Sequence, residues 1–336
     1  MINRLTCSAT VTLLLIFLSQ SPQIPQPQEK IRTRVNEVIV PVTVTNKSGN
    51  LILDLSQKDF HIFDNGVEQS ITAWDLGGDP LAVALVIETS SRIQAIAPAI
   101  YRMSSIFTES VMALNGEAAV ITYDSGVEVH QLFTNDHEAI GKAISGVKFE
   151  VSQRKLYDGM AKAVNLLRVQ PSTYRRIMLV VGESADDGSD TTLSQVVRNA
   201  SNANISIYAV GTSSVAADFR GDSGIAPLKV PGLPTINAAG PAGFAVWLLE
   251  RGTSKIKNHQ LEVAAAATGG VHYRTFRDAT IAKALDTIGG EIHAQYVLSY
   301  TPTKDPRVGF NEIKVTVSRP ELLVRTRPGY YVPPAQ

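Results

Sequence analysis

A group of charged and hydroxyl-bearing residues directly follows the apolar run "LAVALVI" at positions 81–87: Glu88, Ser90, Ser91 and Arg92. Carboxylate and hydroxyl oxygens are the ligands that a hard divalent ion such as Mg²⁺ takes. Arginine suits bidentate pairing with carboxylates instead. The residue types therefore allow three interpretations: a metal site, the remains of one, or a strand end that meets water.

Two other polar groups occupy equivalent positions further along the chain. Arg154 precedes "LYDGM" at the start of a predicted helix, and Glu183 follows the apolar run "RRIMLVVG". The carboxyl ends of neighbouring parallel strands converge on one rim of a doubly wound sheet. We therefore expect Glu88, Arg154 and Glu183 to lie close together. The alternative is that these residues are polar only because strand ends and helix caps meet water.

The elements that must position these residues alternate along the chain. Apolar runs typical of buried strands, such as "RRIMLVVG" and "ISIYAVG", are separated by segments with helical spacing. One such segment, residues 96–114, predicts a long helix. This alternation predicts an α/β fold with a doubly wound, mostly parallel sheet and helices on both faces.

A second type of patterning flanks this core. Val38, Val40, Val42 and Val44 alternate as on a half-buried strand, and Asn65-Gly66 is a strong hairpin signal. Strand patterns return at the end of the chain. We predict an antiparallel β-module formed by residues 33–80 and 295–333, around an α/β domain at 81–294 that contains a long Gly/Pro/Ala-rich loop, 212–243.

The first residues resemble an export signal. Residues 1–21 combine Arg4, a short apolar core and small residues, and a Pro/Gln-rich linker follows at 22–32. We expect an exported protein, located in the periplasm, on the cell surface or in the medium, with no membrane span after signal cleavage. The only cysteine, Cys7, lies in the signal, so no disulfide is expected in the mature chain.

Composition and motifs exclude several classes of function. Basic and acidic residues number 31 each, so no net field favours nucleic acid. The chain has no nucleophile elbow, phosphate-binding glycine loop or zinc-protease motif. The scattered histidines have no ligand spacing for zinc. An enzyme is therefore not expected, and no catalytic residues are assigned.

The order of elements resembles a von Willebrand factor type A (VWA) domain, more closely the secreted VWA-related proteins of acidobacteria. The motifs that carry this resemblance are "LAVALVIETSS", "KLYDGM", "RRIMLVVGES" and "NISIYAVG" in the core. The flanking motifs are "VPVTVTNKSGNLILDLSQKDFHIFDNGVEQSI", "QYVLSYTP" and "EIKVTVSRPELLVRTRPGYY". The resemblance covers about residues 33–333. It implies protein binding or adhesion through a metal-ion-dependent adhesion site, D-x-S-x-S followed by a distant Thr and a distant Asp.

This chain departs from that pattern. Glu88 stands for the first Asp, Ser90 matches, and Arg92 replaces the second Ser. Arg154 falls at or near the Thr position, and Glu183 replaces the last Asp. We hypothesise that the guanidinium groups neutralise the carboxylates directly and that no cofactor binds. If Mg²⁺ or Mn²⁺ did bind, its ligands would be Glu88, Ser90 and Glu183.

These observations predict a non-catalytic, exported VWA protein. Its partner would be a protein, bound at the rim formed by Glu88, Ser90, Arg92, Arg154 and Glu183, with Arg92 and Arg154 receiving an acidic side chain. The alternatives are a metal-dependent adhesion module and a structural component of an envelope assembly. The Arg-Gly-Asp at 220–222 is interpreted as a chance match, and the acidic run at 186–190 as the lead into a helix.

Overall fold

The structure is a computed structural model that describes residues 37–149, 153–212, 259–275 and 278–334. The predicted signal, the linker, almost all of the 212–243 loop and its Arg-Gly-Asp lie outside these ranges. No helix within them is both long and apolar enough to cross a membrane. The described segments between Arg34 and Pro334 belong to one compact unit.

A six-stranded sheet forms the centre of this unit, and it confirms the predicted fold class. The strands are β5 (Leu81–Glu88), β6 (Glu117–Tyr123), β7 (Val127–Thr134), β8 (Arg175–Gly182), β9 (Ile205–Thr212) and β10 (His272–Thr275). Their order across the sheet is β10-β9-β8-β5-β6-β7. All neighbours pair in parallel except β7, which turns back beside β6 as the predicted hairpin.

Helices cover both faces because the apolar strands alternate their side chains. On β5, Ala82, Ala84 and Val86 point to one core and Leu81, Val83, Leu85 and Ile87 to the other. The first core is covered by α3 (Leu156–Leu167), α4 (Leu193–Asn202) and α5 (Gln260–Thr268). The second is covered by α1 (Ala97–Ile106), α2 (His137–Ser145) and α6 (Asp278–His293).

The long helix predicted over 96–114 is divided into three parts. A 3-10 helix at Ser91–Ile96 leads into α1, and a π-helical segment at Phe107–Met112 follows it. One carbonyl of this segment, that of Val111, lies 3.1 Å from His293 Nε2. Ala113 then ends the segment with a φ of 53°. The helical spacing therefore holds from Ala97 to Met112, with π-type winding in the last six residues.

Strands from both ends of the described chain form two antiparallel sheets. They are β1 (Val38–Thr45), β2 (Phe60–Asp64), β3 (Val67–Gln69), β4 (Ile71–Leu76), β11 (Tyr296–Tyr300), β12 (Gly309–Val317), β13 (Leu323–Thr326) and β14 (Gly329–Val332). The sheet orders are β13-β1-β11-β4 and β14-β12-β2-β3. We call these strands the β-module. Early and late strands therefore pair as expected, while the domain boundaries at 80 and 294 stay predictions.

The β-module has its own core and a tight hairpin. Val38, Val40, Val42 and Val44 are buried against Tyr296, Leu298 and Tyr300. Asn65 and Gly66 join β2 to β3 with φ values of 48° and 80°. A two-residue turn with positive φ at both positions suits Asn-Gly, because Gly has no Cβ and Asn tolerates the left-handed region.

Buried polar contacts fasten the β-module to the α/β core. Arg325 on β13 forms an ion pair with Glu291 on α6, and Tyr208 on β9 donates to the same carboxylate at 2.8 Å. Arg327 donates to Asn204 Oδ1 at 2.6 Å, in the turn before β9. Buried polar groups are costly unless they are paired, so these contacts fix how the β-module packs on the core.

Candidate functional site

The ends of β5 and β8 and the start of α3 bring Glu88, Ser90, Arg154 and Glu183 together. This region of strand ends, with the exposed Arg92, is called the rim below. Gly182 at the end of β8 allows the close approach. A Cβ at this position would lie 2.8 Å from Glu88 Cβ and 2.4 Å from the Tyr123 hydroxyl. The sheet topology therefore produces the convergence that the sequence predicted.

Glu88 is completely buried and binds other parts of the chain. Its Oε1 accepts a short hydrogen bond from the Ser90 hydroxyl, and its Oε2 accepts the Glu183 backbone N–H at 2.6 Å. The Tyr123 hydroxyl lies 3.5 Å from the same oxygen. Glu88 therefore joins the end of β5 to the end of β8 through a direct hydrogen bond.

Arg154 provides the second connection. Its Nη1 donates to Glu183 Oε2 at 2.6 Å, and its Nε donates to Asp187 Oδ2 at 2.7 Å. Its backbone carbonyl also accepts the Asp187 N–H at 2.9 Å. The Arg154 side chain is only 7% exposed. The segment before α3 is thus held to the loop after β8 by a buried, twice-paired guanidinium.

The hypothesis of two paired arginines is correct for Arg154 and not for Arg92. Arg92 lies in the 3-10 helix after β5, is exposed, and forms no ion pair within the described ranges. Glu88 in turn receives hydrogen bonds and no direct guanidinium contact from the described residues. The reason is geometric, because the 3-10 turn that starts at Ser91 places Arg92 on the outer surface.

Sequence reasoning missed Asp187, which lies in the acidic run at 186–190. That run was expected only to lead into α4. Thr192 does cap α4, accepting the Gln195 N–H at 3.3 Å. Asp186, however, accepts the Tyr157 N–H at 3.2 Å and so also contacts the start of α3. No spacing signal in the sequence identifies these contacts, because they depend on how two loops fold against each other.

The protonation of the site follows from its burial. Burial raises the pKa of Glu88, despite the hydrogen bonds from Ser90 and the Glu183 amide that oppose this shift. Burial alone would lower the pKa of Arg154, but the hydrogen bond and charge of Asp187, with the charges of Glu88 and Glu183, raise it. The hydrogen bond from Arg154 lowers the pKa of Asp187. Arg154 therefore remains a cation inside the site.

These side chains do not fit a hard divalent cation. Mg²⁺ demands near-octahedral oxygen ligands at short distances. Here Ser90 donates its proton to Glu88, and the Arg154 guanidinium occupies Glu183 Oε2. A metal ion there would also meet the positive charge of Arg154. Two unit charges of like sign about 4 Å apart repel by roughly 4 kcal/mol at an effective dielectric constant near 20. Among the residues that the structure describes, no group of three or more His, Cys, Asp or Glu is arranged to hold a metal.

A second polar cluster, which sequence analysis did not predict, adjoins the rim at Ser184. Ser184 Oγ donates to Glu262 Oε2 at 3.0 Å and accepts the Leu261 N–H at 2.9 Å. Glu262 Oε1 accepts from Arg274 Nη2 at 2.9 Å, and the Nδ1 atoms of His259 and His272 each lie 3.4 Å from it. The start of α5 and strand β10 therefore extend the rim beyond β8.

Comparison with known proteins finds similarity at the level of overall structure. No protein-family model and no curated protein matches the chain. Among solved structures, the chain is similar to BatB from Bacteroides thetaiotaomicron, with 11% identity, a TM-score of 0.42, and coverage of 63% of this chain and 98% of that one. It is also similar to a von Willebrand factor type A protein from Catenulispora acidiphila, with 9% identity, a TM-score of 0.47, and coverage of 81% and 72%.

A third similar structure is the vWF domain of the type V pili tip protein Mfa5 from Porphyromonas gingivalis. Its identity is 11%, its TM-score is 0.43, and the coverage is 64% of this chain and 95% of that one. Two of these three structures are named as von Willebrand factor type A or vWF domains. The fold assignment rests on the sheet order and helix placement above. The acidobacterial family and the lost metal site stay predictions.

Proposed function

We propose that this protein is an exported, non-catalytic protein-binding or adhesion module whose rim works without a metal ion. The observation that carries the proposal is the Arg154 guanidinium, which is buried between Glu183 and Asp187 at 2.6 and 2.7 Å. Glu88 supplies a second connection through the Glu183 amide. In this proposal, these contacts connect the loop after β8 to the end of β5 and to the segment before α3, in place of a bound cation.

The proposed partner contact is an acidic side chain received by Arg92. Both arginines were expected to take this role, but Arg154 already has two carboxylate partners. Arg92 is exposed and close enough to Asp187 for its charge to contribute to the lowered pKa of that carboxyl. An exposed guanidinium at the rim can form a bidentate pair with a partner carboxylate. Charge reversal at Arg92 should therefore weaken binding.

The test places a photo-crosslinking residue at Gln94, which is exposed in the same 3-10 helix as Arg92 and leaves the Arg92 guanidinium in place. The protein is expressed in the organism that carries it. The matched control places the same residue at Lys314, which is exposed on β12 of the β-module. The proposal expects a protein adduct at Gln94 with a chelator present, loss of this adduct on Arg92→Glu, and no adduct at Lys314. An adduct that requires added Mg²⁺ would instead support a metal-dependent adhesion module.

An adduct at Lys314 alone would support the second alternative, a structural component of an envelope assembly that binds through the β-module. Truncation near residue 80 cannot separate these possibilities. It would remove β1, which pairs with β11 and β13 on the late part of the chain. Point changes on each surface are therefore the informative variants.

A further inference from the structure

A serine, a histidine and a glutamate are joined by hydrogen bonds on the outer face of the β-module. Ser318 Oγ lies 3.1 Å from His61 Nε2, and His61 Nδ1 lies 2.8 Å from Glu68 Oε1. These three residues are called the triad below. Ser318 follows His61 by 257 positions, so no local sequence motif indicates that they meet.

The pairing of three neighbouring strands brings the triad together. His61 on β2 is directly opposite Thr316 on β12, so Ser318 lies one diagonal step away on the same face. Glu68 on β3 lies one diagonal step from His61 on the other side. Diagonal neighbours on one face of a sheet are within reach of long side chains. The Ser318 N–H donates to the Asp59 carbonyl at 2.8 Å, which holds the serine in place just after β12 ends.

Hydrogen-bond chemistry gives each side chain of the triad a defined role. An ionised carboxylate can only accept, so His61 Nδ1 carries the proton that is shared with Glu68. In a neutral ring the other nitrogen, Nε2, is then an acceptor, and the Ser318 hydroxyl donates to it. Both distances fall within the reach of about 2.6–3.2 Å that is typical of a nucleophile, its base and the group that orients the base.

We propose that Ser318 is an activated nucleophile that accepts an acyl group from an ester, with His61 as its base. Glu68 is a positioning residue, because it acts through the His61 ring. Ser318 is exposed, and the side chains of His61 and Glu68 are 43% and 59% exposed, so a substrate can reach the hydroxyl from solvent. This open position favours small activated esters as substrates.

In the proposed step, Ser318 Oγ attacks the ester carbonyl carbon and its proton moves to His61 Nε2. The bond between that carbon and the leaving oxygen breaks, and the leaving oxygen takes the proton from Nε2. The products are O-acylated Ser318 and a free alcohol. The charges of Lys58 and Arg319 both act on Asp59. Because the Asp59 carbonyl accepts the Ser318 N–H, positive charge lies near the oxyanion that develops during the attack.

The test is labelling of the purified full-length protein with a fluorophosphonate at about pH 8, above the range in which histidines ordinarily titrate. The serine oxygen bonds to phosphorus, fluoride leaves, and mass spectrometry locates the stable adduct. We expect an adduct on Ser318. His61→Gln should slow its formation at least about a hundredfold, the lower end of what a positioned base contributes. Imidazole added to His61→Gly should restore part of the rate, which a purely structural role of the ring would not allow.

Further variants test the positioning residue and the substrate class. Glu68→Gln should slow labelling less than His61→Gln does, and Glu68→Asp should keep more of the rate because it retains a carboxylate. Ser48→Ala is the matched control, because Ser48 is an exposed serine in the turn after β1, and this variant should be labelled as fast as the wild type. Release of p-nitrophenol from p-nitrophenyl acetate should be slower after labelling than before it. Urea unfolding checks that each variant is folded.

Three outcomes would overturn the proposal. One is no adduct on Ser318 above the level found on Ser48. Another is equal labelling of His61→Gln and the wild type, which would make the triad a surface hydrogen-bond network. The third is release of p-nitrophenol at the same rate before and after labelling. None of them bears on the proposed function, which concerns the rim and is tested by crosslinking at Gln94.

Discussion

Replacing the Arg154 side chain should show how much the buried ion pair contributes to the free energy of unfolding. Arg154→Met keeps an apolar stem of similar length but leaves Glu183, 10% exposed, without its 2.6 Å counter-ion. Removing one partner of a buried pair typically costs about 3–5 kcal/mol. The contact to Asp187 adds less, since that carboxylate is 42% exposed and solvent screens it. We expect a loss of about 4 kcal/mol in the free energy of unfolding.

A double-mutant cycle separates the pair from simple loss of packing. Glu183→Gln alone removes a hydrogen bond between charged groups and should cost about 1.5–3 kcal/mol. If the two effects were independent, the double variant would lose roughly 6 kcal/mol. In the double variant no uncompensated carboxylate is left at position 183. We therefore expect a loss close to that of Arg154→Met alone, with a coupling energy of about 2 kcal/mol.

The assay is urea unfolding near neutral pH, with the m-value checked to be constant across the variants. Lys142→Met is the matched control, because Lys142 forms an exposed pair with Glu138 one helical turn away. That change should cost no more than about 0.5 kcal/mol. Additive losses in the cycle, or an Arg154→Met variant as stable as Lys142→Met, would refute the reasoning that the guanidinium is a buried structural cation.

Two further predictions concern neighbouring parts of the rim. Gly182→Ala should cost about 1–3 kcal/mol by urea unfolding, because the new Cβ would lie 2.8 Å from Glu88 Cβ; Gly141→Ala, with no atom near its Cβ position, should not destabilise. The pKa of Glu262 is lowered from 4.5 to about 2, so its stabilisation is present above pH 4.5 and is lost as the pH falls towards 2. The wild type should lose about 3 kcal/mol in its free energy of unfolding over this pH range, and Glu262→Gln should not show this loss. Equal acid sensitivity of the wild type and Glu262→Gln in urea unfolding would contradict this prediction.

The central sheet and the convergence of the rim were predictable from local patterns. Apolar runs identify β5 and β8 as buried strands, and parallel topology then places Glu88 and Glu183 at the same edge. The position of Arg154 just before an amphipathic helix places it at the same edge. These inferences need only the spacing of apolar residues and the rule that the carboxyl ends of parallel strands meet at one edge of the sheet.

Contacts between loops were not predictable in the same way. Asp187 meets Arg154 only because two loops fold against each other, and the outward position of Arg92 depends on one 3-10 turn. Glu262 and Arg274 are twelve residues apart on different elements, and no spacing rule connects a helix start to a neighbouring strand. Side-chain partners across loops depend on tertiary geometry, which sequence periodicity does not report.

The central claim is that the rim is held by the chain's own side chains and not by a metal ion. The most direct measurement is the free energy of unfolding with and without Mg²⁺ or Mn²⁺, after treatment with a chelator. A cation that binds the folded state adds about 2.7 kcal/mol when its concentration is a hundred times its Kd. We predict no change in stability and no heat of binding on titration. A stabilisation of that size, lost in Glu88→Gln, would contradict the account.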